Sequence, residues 1–99
     1  MLLIDKNIKR LKTLCQKHEV KKLYIFGSAT NSSFNDNSDI DFLVTFNKID
    51  LVDYFNNYSS FKNKLKILFK RDIDLVEEKA LRNPILIDSI NENKELVYG

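Results

Sequence analysis

The segment from Ser38 to Phe46 constrains the fold most, because large apolar side chains occupy every second position along it. Successive side chains of a β-strand point to opposite faces, so this spacing predicts a strand with one apolar face. That face carries Ile40, Phe42, Val44 and Phe46. The other face starts with two carboxylates, Asp39 and Asp41, and continues with Leu43 and Thr45. We therefore expect a strand with one face in a core and two negative charges side by side on the other.

The residues before this strand predict a helix, a strand and a polar loop. Apolar side chains at a spacing of three and four predict one amphipathic helix; they are Ile4, Ile8, Leu11, Leu14, Cys15 and His18. Residues 21–26 are aromatic and β-branched and end at Gly27, which predicts a buried strand. Residues 28–38 are mostly Ser, Thr, Asn and Asp, side chains that favour turns.

The residues after it predict a long helix, a third strand, a last helix and a short strand. Apolar spacing predicts the long helix over about residues 51–69, with Lys70 and Arg71 suiting its C-terminal dipole. Residues 72–76 alternate as a strand, and Asn83 followed by Pro84 predicts a capped helix through about Ile90. Residues 95–98 predict a final strand. The order predicts an α/β fold, a two-layer sandwich of a small mixed sheet with flanking helices, in one domain over residues 1–99.

Composition excludes several classes of protein. Sixteen Lys and Arg against 14 Asp and Glu give a net charge of +2, so we expect no direct nucleic-acid partner. The single cysteine and single histidine exclude an intrachain disulfide and a Cys/His zinc site. No apolar run reaches membrane-spanning length. These features favour a cytoplasmic protein without a membrane partner.

The two carboxylates on one strand face predict a metal site. Like charges this close destabilise a fold unless a cation lies between them, and Mg²⁺ binds one or two carboxylates together with phosphate and water. Asp74, on the neighbouring predicted strand, would supply a third carboxylate for phosphoryl transfer. Asp72 shares a face with Asp74 and competes for that role.

The end of the first predicted strand has the features of a phosphate-binding turn. Gly27 allows the backbone to come close to a phosphate, and Ser28 adds a hydroxyl donor. Ten residues separate this pair from Asp39. The spacing places a phosphate-binding turn beside a metal site.

These motifs together resemble the nucleotidyltransferase superfamily that includes DNA polymerase beta. Gly27-Ser28, Asp39-Ile40-Asp41 and the later Ile73-Asp74-Leu75 look most like its small members, the minimal nucleotidyltransferase (MNT) antitoxins. The resemblance implies that Gly27 and Ser28 hold the β and γ phosphates of ATP. It also implies that Asp39, Asp41 and Asp74 are catalytic and bind Mg²⁺, with Asp74 helping to deprotonate the attacking hydroxyl.

The same resemblance implies a partner and a reaction. Members of this group are paired with a HEPN-domain RNase toxin and silence it by transferring AMP from ATP to one of its tyrosines. We expect the chain to associate with itself or with that partner, because a small sheet has exposed edges. The resemblance departs at Asn31, where many relatives have a second glycine; Asn tolerates a left-handed backbone, so we expect the turn to keep its shape.

Two other functions remain open from the sequence. The chain would act as a nucleotide-binding module that neutralises its partner by binding without catalysis, or it would transfer a nucleotide to an RNA end. Outside the motifs, we expect Cys15, Phe55, Tyr58 and Phe61 in the core. We expect His18 on the surface or at a helix C-terminus.

Overall fold

A mixed four-stranded sheet forms the centre of the computed structural model, which describes residues 2–30, 34–35 and 37–99. The strands are β1 (Val20–Phe26), β2 (Ile40–Phe46), β3 (Ile73–Glu77) and β4 (Glu95–Tyr98). Their order across the sheet is β3-β2-β1-β4. β1 is antiparallel to both β2 and β4, whereas β2 and β3 are parallel. The parallel pair is joined by a crossover helix, as parallel strands require.

Helices flank this sheet. They are α1 (Leu2–Lys6), α2 (Ile8–Lys17), α3 (Leu51–Phe69) and α4 (Pro84–Asn93). α2 packs on β1, α3 packs on β3, and the two helices contact each other. The side chain of Asn83 accepts hydrogen bonds from the backbone N–H groups of Ile85 and Leu86 at 3.0 and 3.4 Å, which caps α4 as its sequence predicts. The predicted sandwich of a small mixed sheet with flanking helices is confirmed.

The main core lies between the sheet and α2 and α3. All four predicted inward residues of β2 are buried, at 5% exposure or less. They pack with buried residues of β1 and both helices, namely Leu23, Ile25, Leu11, Cys15, Phe61 and Leu65. Cys15 is fully buried, and this burial raises the pKa of its thiol to about 12. The thiol is therefore a core group, as the sequence predicts.

The N-terminal helical segment differs from the single helix predicted. It divides at Asn7 into α1 and α2, and the side-chain amide of Asn7 donates to the carbonyl of Leu3 at 2.9 Å. A short polar side chain bonding to nearby backbone competes with a continuous helix. The apolar face nevertheless continues across the break, because Ile4 and Leu11 are both buried.

His18 is buried, so its predicted surface position is wrong, although it does cap the C-terminus of α2. Its Nδ1 lies 2.7 Å from the carbonyl of Leu14, and its Nε2 lies 3.0 Å from the hydroxyl of Ser60. The ring also packs against Phe61, with 5.4 Å between centroids. Its two hydrogen bonds allow the imidazole to be buried.

The aromatic residues of α3 divide between core and surface. Phe61 is fully buried and Tyr58 is half-buried, whereas Phe55 is 74% exposed, so the predicted core position of Phe55 is wrong. Phe55 lies six residues before Phe61, which rotates it about 120° around the helix. It therefore lies outside the buried stripe of Phe61, Leu65 and Phe69.

In the described residues, no helix combines the length and the apolar character needed to cross a membrane.

Candidate active site

Sheet register brings the predicted site residues to one edge. β1 ends where β2 begins, because the two strands are antiparallel, and Phe26 lies opposite Asp41. β3 runs parallel to β2, and its Asp74 lies opposite Asp41 on the other side. Gly27 follows Phe26 directly. The register thus places Gly27, Asp41 and Asp74 together, although they are far apart in the chain.

Gly27 begins a 3₁₀ turn, Gly27–Thr30, that lies against Asp41. Its φ is +67°, a conformation that side chains disfavour, and an added Cβ would lie 2.3 Å from Oδ2 of Asp41. The hydroxyl of Thr30 donates to the carbonyl of Gly27 at 2.7 Å. Glycine adopts this backbone conformation without steric cost, and its lack of a Cβ allows this close approach to the carboxylate. Ser28 lies in the same turn, but its side chain and Asn31 are outside the described residues.

Asp41 is an acid in an unfavourable environment. Burial raises the pKa of its carboxyl, and the negative charges of Asp74 and then Asp39 raise it further. Asp39 is exposed and directly precedes β2, and Asp74 is exposed on β3. A cation among these oxygens would relieve the repulsion and favour the charged form of Asp41.

The donor chemistry fits a divalent ion that also has ligands from outside the protein. In the part of the chain that the structure describes, no group of three or more Asp, Glu, His or Cys side chains is placed to hold a metal ion. Mg²⁺ typically takes one or two carboxylates and completes its octahedron with water and substrate phosphates. The carboxylates of Asp39, Asp41 and Asp74 suit such a partial set better than an all-protein metal cage.

The structure separates Asp74 from its competitor Asp72. Asp72 is exposed, and its carboxylate lies 3.4 Å from Nζ of Lys66. Its backbone carbonyl accepts a hydrogen bond from the N–H of Ile40 at 3.2 Å. Asp72 precedes β3, which begins at Ile73, and Asp74 is the acid opposite Asp41.

Two residues near the site were not predicted from the sequence to lie there. Tyr58 of α3 donates its hydroxyl to the carbonyl of Leu75; burial and then the charge of Asp74 raise its pKa. Arg71 donates to backbone carbonyls just before Asp39. Tyr58 has only the helical spacing of a core residue, and Arg71 has only the position of a basic residue at a helix end. Neither feature of the sequence indicates a position near Asp39 or Asp74.

Comparison with known proteins agrees with this geometry. The family model described as "Polymerase beta, Nucleotidyltransferase" matches residues 9–99. The chain belongs to this nucleotidyltransferase family. A relative from Methanocaldococcus jannaschii, named a protein adenylyltransferase, is 32% identical in an alignment of 96 positions, and the match covers 91% of this chain and 87% of the relative. The family resemblance inferred from the sequence is confirmed.

Solved structures of minimal members share the fold. A minimal nucleotidyltransferase superposes with a TM-score of 0.75 at 23% identity, covering 93% of this chain and 90% of that one. A complex described as a tri-AMPylated Shewanella oneidensis HEPN toxin with its MNT antitoxin matches with a TM-score of 0.65 at 19% identity, covering 96% of this chain and 71% of that one. At these identities the likeness shows the shared fold.

Proposed function

We propose that this nucleotidyltransferase transfers AMP from Mg-ATP to a tyrosine hydroxyl of a HEPN-domain RNase toxin and so acts as its antitoxin. The observation that carries the proposal is the Gly27 turn packed against Asp41, opposite Asp74 on the neighbouring strand. Such a turn would bind phosphates next to carboxylates, which are hard oxygen ligands. Family membership and the name of the Methanocaldococcus relative support the same reaction class.

Each site residue has a role in this reaction. The backbone of Gly27 and Ser28 would bind the β and γ phosphates. Gly27 has no Cβ where the turn comes closest to Asp41, so the phosphates would lie next to that carboxylate. Asp39, Asp41 and Asp74 would hold Mg²⁺, which would supply electrostatic stabilisation of the negative charge that develops during transfer. The acceptor oxygen would attack the α-phosphorus of ATP. The bond between the α-phosphorus and the oxygen that links it to the β-phosphate would break, and pyrophosphate would leave. Asp74 would accept the hydroxyl proton on a carboxylate oxygen.

The toxin partner is inferred from the structural neighbours. One neighbouring complex pairs an MNT antitoxin with an AMPylated HEPN toxin, and its antitoxin-like fold matches nearly the whole of this chain. We propose the same kind of pair here, with residues 1–99 as a single nucleotidyltransferase domain. The buried, unpaired thiol of Cys15 suits a reducing compartment, so we place the reaction in the cytoplasm.

Intact-mass analysis tests the reaction. The protein is incubated with Mg-ATP and the HEPN-domain protein encoded beside it, and the wild type is compared with Asp41→Asn and with Asp88→Asn. Asp88 is an exposed acid of α4 and serves as a matched charge control. We expect whole AMP units on a tyrosine of the partner with the wild type and with Asp88→Asn. We expect at least about a hundredfold slower transfer with Asp41→Asn.

Two results would contradict the proposal. Transfer that persists in Asp41→Asn would show that the acidic cluster does not carry the chemistry. A tight complex that blocks the partner's RNase without any adduct would replace catalysis with neutralisation by binding alone.

A further inference from the structure

Arg71 connects two segments that carry the acids of the site. Its Nη1 donates to the carbonyl of Asn35 at 3.0 Å and to the carbonyl of Ser38 at 3.1 Å. Its guanidinium carbon lies 4.7 Å from the ring centroid of Phe34, a cation–π contact. Its Nε is buried and has no hydrogen-bond partner among the described residues. We call this set, Arg71 with Phe34, Asn35 and Ser38, the Arg71 clamp.

On one side the clamp holds the turn that leads into Asp39. The N–H of Ser38 donates to the carbonyl of Asn35 at 3.0 Å, and the hydroxyl of Ser38 accepts from the N–H of Asn35 at 3.1 Å. The two carbonyls that Arg71 binds therefore lie at the two ends of one hydrogen-bonded turn. Asp39 is the next residue along the chain, before the first residue of β2.

On the other side the clamp is attached to the start of β3. Lys70 ends α3 in a left-handed conformation, with φ of 55°, and its N–H donates to the carbonyl of Lys66 at 2.9 Å. This cap directs the chain out of the helix, so that Arg71 stands three residues before Asp74. The backbone N–H of Ile40, two residues after Ser38, donates to the carbonyl of Asp72, the residue after Arg71. This hydrogen bond joins the same two segments.

We propose that Arg71 is a positioning residue for the acidic site, which it acts on through the turn before Asp39. Asp39 is exposed and lies outside β2, so ladder hydrogen bonds do not hold it as they hold Asp41. The clamp fixes the backbone next to Asp39 relative to the strand of Asp74. A metal-nucleotide then binds without having to order that turn, which lowers the entropic cost of binding. The inference rests on the proposed function and refines it.

Lysine cannot replace arginine in this arrangement. One guanidinium nitrogen, Nη1, donates to both carbonyls while the guanidinium carbon lies over the ring of Phe34, whereas an ammonium is a compact point charge on a flexible stem. Arg71→Lys therefore keeps the positive charge and removes the geometry. This separates positioning from simple attraction of phosphate by a nearby cation.

Nucleotide binding and amide exchange test the clamp without depending on transfer. Binding of Mn²⁺ with the unreactive analogue AMP-PNP is measured by calorimetry, and exchange of the Ser38 amide is measured by NMR. The variants are Arg71→Lys, Arg71→Ala and Phe34→Leu, with Lys62→Ala, an exposed lysine of α3, as the charge control. Urea unfolding checks that each variant folds cooperatively.

We expect Arg71→Lys and Arg71→Ala to raise the Kd for the metal-nucleotide about tenfold, the effect typical of residues that orient metal ligands. Both should also speed exchange of the Ser38 amide. Phe34→Leu should change both quantities in the same direction but less, and Lys62→Ala should change neither. If Arg71→Ala does not fold, Arg71→Lys and Phe34→Leu decide the outcome.

Several outcomes would overturn the inference. Wild-type affinity in Arg71→Lys with weak binding in Arg71→Ala would assign the effect to charge. Weaker binding with unchanged Ser38 exchange would show that Arg71 does not act through the turn, and loss of folding in Arg71→Lys would make its role structural. A wild-type protein that binds the analogue but transfers no AMP to a partner would contradict the proposed function and leave the clamp standing.

Discussion

The two faces of β2 differ in what they contribute, although they belong to the same seven residues. On one face Phe42 is fully buried and packs near Phe69, with 5.8 Å between ring centroids. On the other face Asp41 is half-buried, and this burial and then the charges of Asp74 and Asp39 raise the pKa of its carboxyl. The first face lies in the main core, whereas the second combines the fully buried Leu43 with an acid whose ionisation lowers stability in the absence of a cation. The comparison teaches that stability and chemistry can be separated here by a shift of one residue.

Phe42→Ala should give the largest change in stability. Removing a fully buried aromatic ring leaves a cavity beside Phe69, and we expect a loss of about 3–5 kcal/mol in the free energy of unfolding. Urea denaturation followed by circular dichroism measures it. A loss below about 1 kcal/mol would mean that this face is not the main core.

Gly27→Ala should have an intermediate effect on stability. Gly27 is where the turn after β1 contacts Asp41 on the acidic face of β2. The new Cβ would meet Oδ2 of Asp41 in a left-handed backbone conformation. We expect a loss of about 1–2 kcal/mol, the cost of that conformation for a residue with a side chain, together with loss of AMP transfer. Thermal unfolding and the transfer assay check both effects. Ala29→Gly, a change in the same turn, provides the control for loop sensitivity.

Asp41→Asn should increase stability in metal-free buffer at neutral pH. The raised pKa means that folded Asp41 binds a proton more readily than unfolded Asp41, so the wild type loses stability as pH rises from about 4 through that pKa. The Asn variant lacks this loss. The variant should be more stable than the wild type above that pH range. The difference should disappear below about pH 3, where Asp41 is protonated in both the folded and the unfolded wild type. Urea midpoints measured across pH with a chelator present test the sign.

An advantage for Asp41→Asn that is independent of pH would show that the cost of ionising Asp41 in the folded protein is not the cause. Added Mg²⁺ and ATP should then distinguish the two proteins further. Only the wild type should gain stability from them, because only it retains the full ligand set.

Asp72→Asn should have the smallest effect. Its carboxylate pairs with Lys66 on the surface at 3.4 Å, and exposed pairs contribute about 1 kcal/mol or less. We expect nearly unchanged stability and unchanged AMP transfer. Loss of transfer comparable to that of Asp74→Asn, the matched variant two residues away, would reverse the assignment of the third acid.

Much of the fold follows from local patterns. The spacing over residues 51–69 predicts α3 at its observed bounds, and Asn83 before Pro84 predicts the cap of α4. The alternation in β2 predicts which side chains are buried. These features depend on helical and strand periods and on capping hydrogen bonds, which neighbouring residues determine by themselves.

The exceptions have physical causes beyond local pattern. Phe55 has a spacing that allows the core, but packing of α3 on the sheet selects a stripe that excludes it. His18 is polar, yet Ser60, 42 residues away, supplies the hydrogen bond that permits its burial. Such partners come from distant segments, so the local pattern does not reveal them.

In the candidate site, too, some features follow from the sequence and others depend on the tertiary structure. The sequence by itself determined that Asp39 and Asp41 are two residues apart where one strand begins and that Gly27 follows the strand before them. Only the tertiary structure decided that Asp74 lies opposite Asp41, that Gly27 contacts its carboxylate and that Arg71 holds the turn before Asp39. The reason is that backbone geometry sets the direction of side chains within a strand, whereas register and long-range contacts depend on how all the elements pack together.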